Sequence, residues 1–312
     1  MTRSQIPVED SKRPRIWWCP TGSLAFLPLH AAGIYKKGST PGFNVLDFAV
    51  SSYTPTISAL LKNIDRAEAR DKGGPDATAP NVPKSFLLIS QSHTPGLSPI
   101  PGTKEETREI QTLINTTTFT RPVIRSLLLE GRDATVARVK DELKNHSWVH
   151  FACHAIQDAY SLKSGLHLHD RRLELLEIMK QRTMSEAMIS SDSTAVTEWD
   201  LAFLSACQTG TGDENLSDEV VHIAAGMLAV GYSSVVATMW SIKDAYGKEI
   251  AVSFYKHLLN ELSIPGQDGR QEENGPGKAA WALDWAVSDL RKTLGDKEEG
   301  LLVWVPYVHY GV

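Results

Sequence analysis

Two apolar runs in this 312-residue sequence end on reactive side chains. WVHFACHAIQD, residues 148–158, delivers Cys153 and His154, and LAFLSACQTG, residues 201–210, delivers Cys207. A thiol beside an imidazole is a nucleophile with its own base: the imidazole draws off the thiol proton and later protonates the leaving amine. The Gln-Thr-Gly-Thr-Gly stretch after Cys207 is small and flexible enough for a substrate backbone to approach closely. The helix expected to follow it, LSDEVVHIAAGM, modestly favours a nearby thiolate through its N-terminal dipole. A tetrahedral oxyanion needs donors, and the backbone N–H groups of Ala155 and Cys207 are the candidates.

For 53 residues of separation to close into one site, both runs must be neighbouring strands of one sheet. The pattern supports this. KSFLLISQ (84–91), SLLLEG (126–131), WVHFACH (148–154), LAFLSACQ (201–208) and SSVVATMW (233–240) read as strands. Helical patterns at 103–115, 133–145, 216–231, 245–262 and 278–294 alternate with them or follow. Strands that are apolar throughout and alternate with amphipathic helices predict an α/β fold, a mainly parallel sheet covered by helices on both faces. Functional groups then gather beyond the carboxyl ends of the strands. FAVSSYTP (48–55) reads as a further strand, TISALLKNIDRAEAR (56–70) as a helix capped by Thr56, and VWVPYVHYG (303–311) as strand-like. Residues 1–14 read as a polar, disordered tail, RRLELLEIMK (171–180) as irregular, and 181–200 and 264–277 as polar loops.

The same residues offer other chemistry. Cys153 should point to the opposite face from His154, as a buried structural thiol. His150 shares the face of His154 by period 2 and reads as a packing or hydrogen-bonding histidine, while His167 and His169 in GLHLHD read as solvent-facing. Asp158 is a weak candidate to orient His154. A zinc site from His150, Cys153, His154 and Cys207 lacks paired Cys-x-x-Cys spacing, and QTGTGDEN lacks the Gly-Lys-Ser/Thr core of a phosphate loop. No metal or cofactor is needed for a thiol–imidazole pair.

Bulk properties narrow the class. A net charge of -5 gives no global field for nucleic acid or an anionic membrane, and no run of 18 apolar residues occurs. Three cysteines (Cys19, Cys153, Cys207) build no disulfide framework, which points to a reducing cytoplasmic or nuclear compartment.

Taken in order, these motifs resemble the CHAT domain, a caspase-like family related to separase, caspases and gingipains. HFACHA (150–155) resembles its His motif, LSACQTGTGD (204–213) its Cys motif, and LAVGYSSVVATMWSIKD (228–244) its glycine, strand and Trp-x-x-x-Asp segment. CPTGSLAFLPLHAAG (19–33), SYTPTISAL (52–60) and LLVWVPYVHYG (301–311) are similar to its lead-in and closing strand. The resemblance covers one domain, residues 15–312. It implies a His-Cys dyad peptidase with His154 as base, Cys207 as nucleophile, and Ala155 and Cys207 as oxyanion donors. It also implies Asp244 as an acidic wall selecting a basic residue before the scissile bond. A protein or peptide substrate follows, together with an activating partner such as a tetratricopeptide-repeat region. The sequence departs from the family where relatives commonly carry glycine, at Ala155, and in the long polar stretch 181–200. Those departures motivate two other readings, a latent peptidase and a catalytically silent scaffold.

Overall fold

The computed structural model describes residues 13–35, 43–72, 85–117, 125–156, 158, 161–188, 199–205, 220–242, 244–263 and 277–312. Along the chain run β1 (Arg15–Trp18), β2 (Val50–Tyr53), α1 (Ile57–Lys72), β3 (Ser85–Ser90), α2 (Gly102–Thr116), β4 (Arg125–Glu130) and α3 (Val136–Leu143). Then follow β5 (Trp148–Ala152), β6 (Ala155–Ile156), β7 (Gly165–His167), β8 (Arg172–Glu174), α4 (Leu175–Met188), β9 (Leu201–Leu204), α5 (Val220–Val230) and β10 (Ser234–Thr238). The chain closes with α6 (Asp244–Ser263), α7 (Lys278–Leu294), α8 (Glu298–Trp304) and β11 (Tyr307–Gly311).

Eight strands form one sheet in the order β1-β2-β11-β10-β9-β5-β3-β4, with β6, β7 and β8 as a small antiparallel sheet. Every pairing in the large sheet is parallel except β10 with β11. The central strands β3, β5, β9 and β10 bury both faces, which explains why they are apolar nearly throughout instead of alternating. One face packs residues of α3, α4 and α5, such as Val139, Ile178 and Met227. The other packs α2, α6, α7 and α8 through Ile110, Phe254, Leu283 and Trp304. Each fully buried large side chain contributes roughly 1.5–3 kcal/mol. The expected α/β architecture, a mainly parallel sheet flanked on both faces, is what forms.

Local chemistry sets the element boundaries. Thr56 Oγ1 accepts the Ala59 N–H at 3.0 Å, the expected cap of α1. Thr135 caps α3, accepting from Arg138 N.

Four expectations change. Residues 13 and 14 are not tail. Arg13 is buried, with Nη1 3.2 Å from Asp284 Oδ1 and 2.8 Å from the Leu46 carbonyl, because a buried carboxylate on α7 needs a guanidinium partner. Residues 171–188 are not irregular but form β8 and α4, whose Leu175 and Ile178 enter the core. The predicted loop 181–200 is therefore helical to Met188, Trp199 at its far end is buried, and 189–198 lie outside the described residues. Residues 298–304 form α8 ahead of β11, since Trp304 is wholly buried against α7.

Candidate active site

The two runs singled out by sequence are adjacent strands. β5 and β9 pair in parallel with Trp148 opposite Leu201 and Phe151 opposite Leu204. That offset equals the 53 residues between His154 and Cys207. β9 ends at Leu204, with buried Ser205 the last described residue at its tip. Cys207 and the segment 206–219, including the glycines and the first residues of the following helix motif, lie outside the described residues.

His154 follows the tip of β5 and is 1% exposed. Its Nε2 lies 2.7 Å from the carbonyl of Ser98, so Nε2 carries the proton and donates it to that oxygen. In the neutral form of the ring this leaves the lone pair on Nδ1. Among the described residues, that buried Nδ1 meets no hydrogen-bond partner. A buried polar atom left unpaired is uncommon and calls for a reason; here it leaves a basic nitrogen ready to accept a proton.

The loop after β3 supplies the Ser98 carbonyl. Gly96 has φ +81, a conformation open to glycine, and the Leu97 N–H closes a turn on the Thr94 carbonyl at 3.1 Å. Pro99 follows and biases Ser98 away from helical backbone. The base of the loop is tied to β5, because the Gln91 N–H donates to the Ala152 carbonyl at 2.9 Å.

Ala155 begins the small sheet, where it stands opposite Leu166. The neighbouring pair is bonded, with the His167 N–H donating to the His154 carbonyl at 2.8 Å. Antiparallel ladders alternate bonded and non-bonded pairs, which turns the Ala155 N–H away from β7. The Ala155 methyl belongs to the apolar core, as does wholly buried Cys153. Cys153 is thus the structural thiol its parity predicted, and the methyl points into the core.

Beneath the strand tips lies a buried polar group. His150 Nδ1 is 3.2 Å from the Tyr255 hydroxyl on α6, and its ring stacks on Phe203 at 4.9 Å between centroids. His150 Nε2 is 2.9 Å from Glu106 Oε1 on α2, an ion-pair distance without the alignment of a hydrogen bond. Burial, with the Glu106 carboxylate nearby, raises the Tyr255 phenol well above its ordinary pKa, so it stays a donor. His150 is a packing and hydrogen-bonding histidine, as read from sequence. Glu106 carried no sequence signal, since a glutamate in TKEETREI reads as a solvated helix face.

Other candidates separate from the site. Asp158 does not orient His154, whose Nε2 is taken by Ser98; its Oδ2 lies 4.0 Å from Arg172. Asp244 is the first residue of α6, and its side chain lies outside the described residues. His167 and His169 are half-buried, contrary to the expectation of solvent-facing rings, because β7 is covered on its β6 and β8 sides. No metal-holding group of three or more His, Cys, Asp or Glu occurs among the described residues. No helix among them is long and apolar enough to cross a membrane.

The fold has counterparts among solved structures. It superposes on the Arg-specific cysteine proteinase gingipain R with a TM-score of 0.50 at 12% identity, covering 86% of this chain and 54% of the gingipain chain. The chain thus spans about half the length of that protein. A complex of Porphyromonas gingivalis RgpB pro- and mature domains matches with a TM-score of 0.49 at 11% identity, covering 84% of this chain and 55% of the other. The Saccharomyces cerevisiae separase–securin complex matches with a TM-score of 0.49 at 13% identity, covering 86% of this chain and 14% of the other. The sequence has no match among curated proteins. The CHAT domain family model matches residues 3–312, and with the fold just described this chain belongs to the CHAT domain family.

Proposed function

We propose that the chain is a cysteine endopeptidase in which Cys207 is the nucleophile and His154 the base. The observation that carries this reading is the state of His154: Nε2 pinned to the Ser98 carbonyl, Nδ1 buried and unpartnered, beside the strand that leads to Cys207. Nδ1 takes the thiol proton, and the thiolate attacks the scissile carbonyl carbon. The amides of Ala155 and Cys207 receive the oxyanion, a role supported by the outward turn of the Ala155 N–H. As the carbon–nitrogen bond breaks, His154 returns the proton to the departing amine. Water, deprotonated by His154, then hydrolyses the thioester. Asp244 at the start of α6 selects a basic residue before the scissile bond, a reading that accords with the Arg specificity named for the gingipain. A protein partner is the proposed activator where the isolated chain is latent.

The test is cleavage of peptide libraries with Arg or Lys at the specificity position by wild type, Cys207→Ala and Asp244→Asn. Wild-type cleavage lost in Cys207→Ala, with basic preference weakened in Asp244→Asn, is expected. Equal cleavage by wild type and Cys207→Ala contradicts the reading.

A further inference from the structure

The register of the small sheet places a second imidazole beside the candidate base. Ala155 pairs with Leu166 and Ile156 with Gly165, and the same antiparallel register sets His154 opposite His167. The His167 N–H bond to the His154 carbonyl makes them a hydrogen-bonded pair, about 5.5 Å apart at Cα, with side chains on one face. His167 is in turn opposite Arg172 on β8. The strands approach closely because Gly165 lacks a side chain; a Cβ there would sit 2.3 Å from the Leu173 carbonyl. Like His154 Nδ1, the Nε2 of His167 is buried and has no hydrogen-bond partner among the described residues.

We propose that His167 is a second imidazole of the candidate site, coupled to His154 across the β6–β7 ladder, so that the site takes up protons as a histidine pair. The charges facing His167 are His154 from the β6 side and Arg172 from the β8 side. Arg172 lies 3.3 Å from Glu174 Oε1 and 4.0 Å from Asp158 Oδ2, which partly balance it. Burial, then Arg172, then His154 lower the pKa of His167 from the ordinary histidine value. A neutral His167 leaves an imidazolium at His154 unopposed, and a charged His167 would oppose it. His167 is a positioning residue: it acts through His154, because protonating either ring disfavours protonating the other. The inference rests on reading His154 as the base, but its test needs no peptide cleavage.

The experiment follows imidazole titrations of the full chain by NMR in wild type, His154→Gln and His167→Lys, with circular dichroism to check folding. In His154→Gln, His167 is expected to titrate about one pH unit or more higher than in wild type. In His167→Lys, the fixed cation is expected to lower the His154 midpoint by a similar amount. A unit charge roughly 6 Å away at an effective dielectric of about 20 is worth about two pH units, so one unit is the lower bound. Midpoints unmoved within about 0.2 units overturn the pairing, even where Cys207-dependent cleavage is found. Shifted midpoints in a chain with no such cleavage uphold the pairing and count against the peptidase reading alone. If His167→Lys does not fold, the His154→Gln titration decides.

Discussion

His154 donates from Nε2 to the backbone carbonyl of Ser98 at 2.7 Å. That one bond selects the tautomer whose free lone pair is on Nδ1, and a carbonyl anchor cannot be titrated away as a carboxylate can. In Cys207→Ala, the neutral form of the His154 ring is expected to carry its proton on Nε2, read from ring nitrogen chemical shifts. A neutral ring with its proton on Nδ1 would reverse the assignment of the basic atom.

The buried group below the strand tips makes a stability prediction. Glu106 and His150 are almost wholly buried and face each other across α2 and β5. Removing one partner strands the other in the interior, which costs about 3–5 kcal/mol. Glu106→Ala is expected to lower the unfolding free energy by that amount. Tyr255→Phe, which removes one hydrogen bond, should lose about 0.5–1.5 kcal/mol. Denaturant titrations giving equal small losses for both would contradict the pairing.

A similar argument applies at the N-terminal edge. Arg13 and Asp284 are buried together, so Arg13→Ala leaves the carboxylate of α7 without its guanidinium. A destabilisation of about 3–5 kcal/mol is expected by thermal or denaturant unfolding. An effect under about 0.5 kcal/mol would return residues 13 and 14 to the status of a tail.

Two buried histidines set an acid limit on stability. His30 lies between the Tyr53 hydroxyl and the Val305 carbonyl, both 2.8 Å away, and burial lowers its pKa to about 4. His309 lies between the Ser52 and Ser234 hydroxyls at 2.8 and 3.2 Å, and burial, with Arg15 adding to it, pushes it well below 6.5. Both bind protons more readily in the unfolded chain, so folding stability is full above about pH 6.5 and falls as pH drops towards 4. For His30 alone the loss is on the order of 3 kcal/mol. Urea midpoints measured from pH 7 to 4.5 should fall, and His30→Gln should flatten the fall. A midpoint independent of pH over that window contradicts the assignment.

Much of this was legible in the residues. The helix over 278–294 has the bounds read from its pattern, and Thr56 caps α1 as its side chain requires. The pairing of β5 with β9 was the condition for a single site, and the sheet meets it. What escaped was of another kind. Ser98 contributes a carbonyl, which has no side-chain signature. Glu106 and Arg13 look like surface charges until the fold supplies their partners. α4 lacks a clean polar face, so its period is faint, and the β-branched and aromatic run VWV around Trp304 imitates a strand. The facing of His167 and His154 needed the register of a short sheet that composition does not specify.

The central claim is that His154 takes the proton of Cys207, and the most direct measurement is the pH dependence of Cys207 alkylation by iodoacetamide. A thiol with an adjacent base should react as a thiolate well below the ordinary cysteine pKa of about 8.5. Replacing His154 by Ala should return the midpoint of the rate to about 8.5. The same midpoint in wild type and His154→Ala would contradict the account.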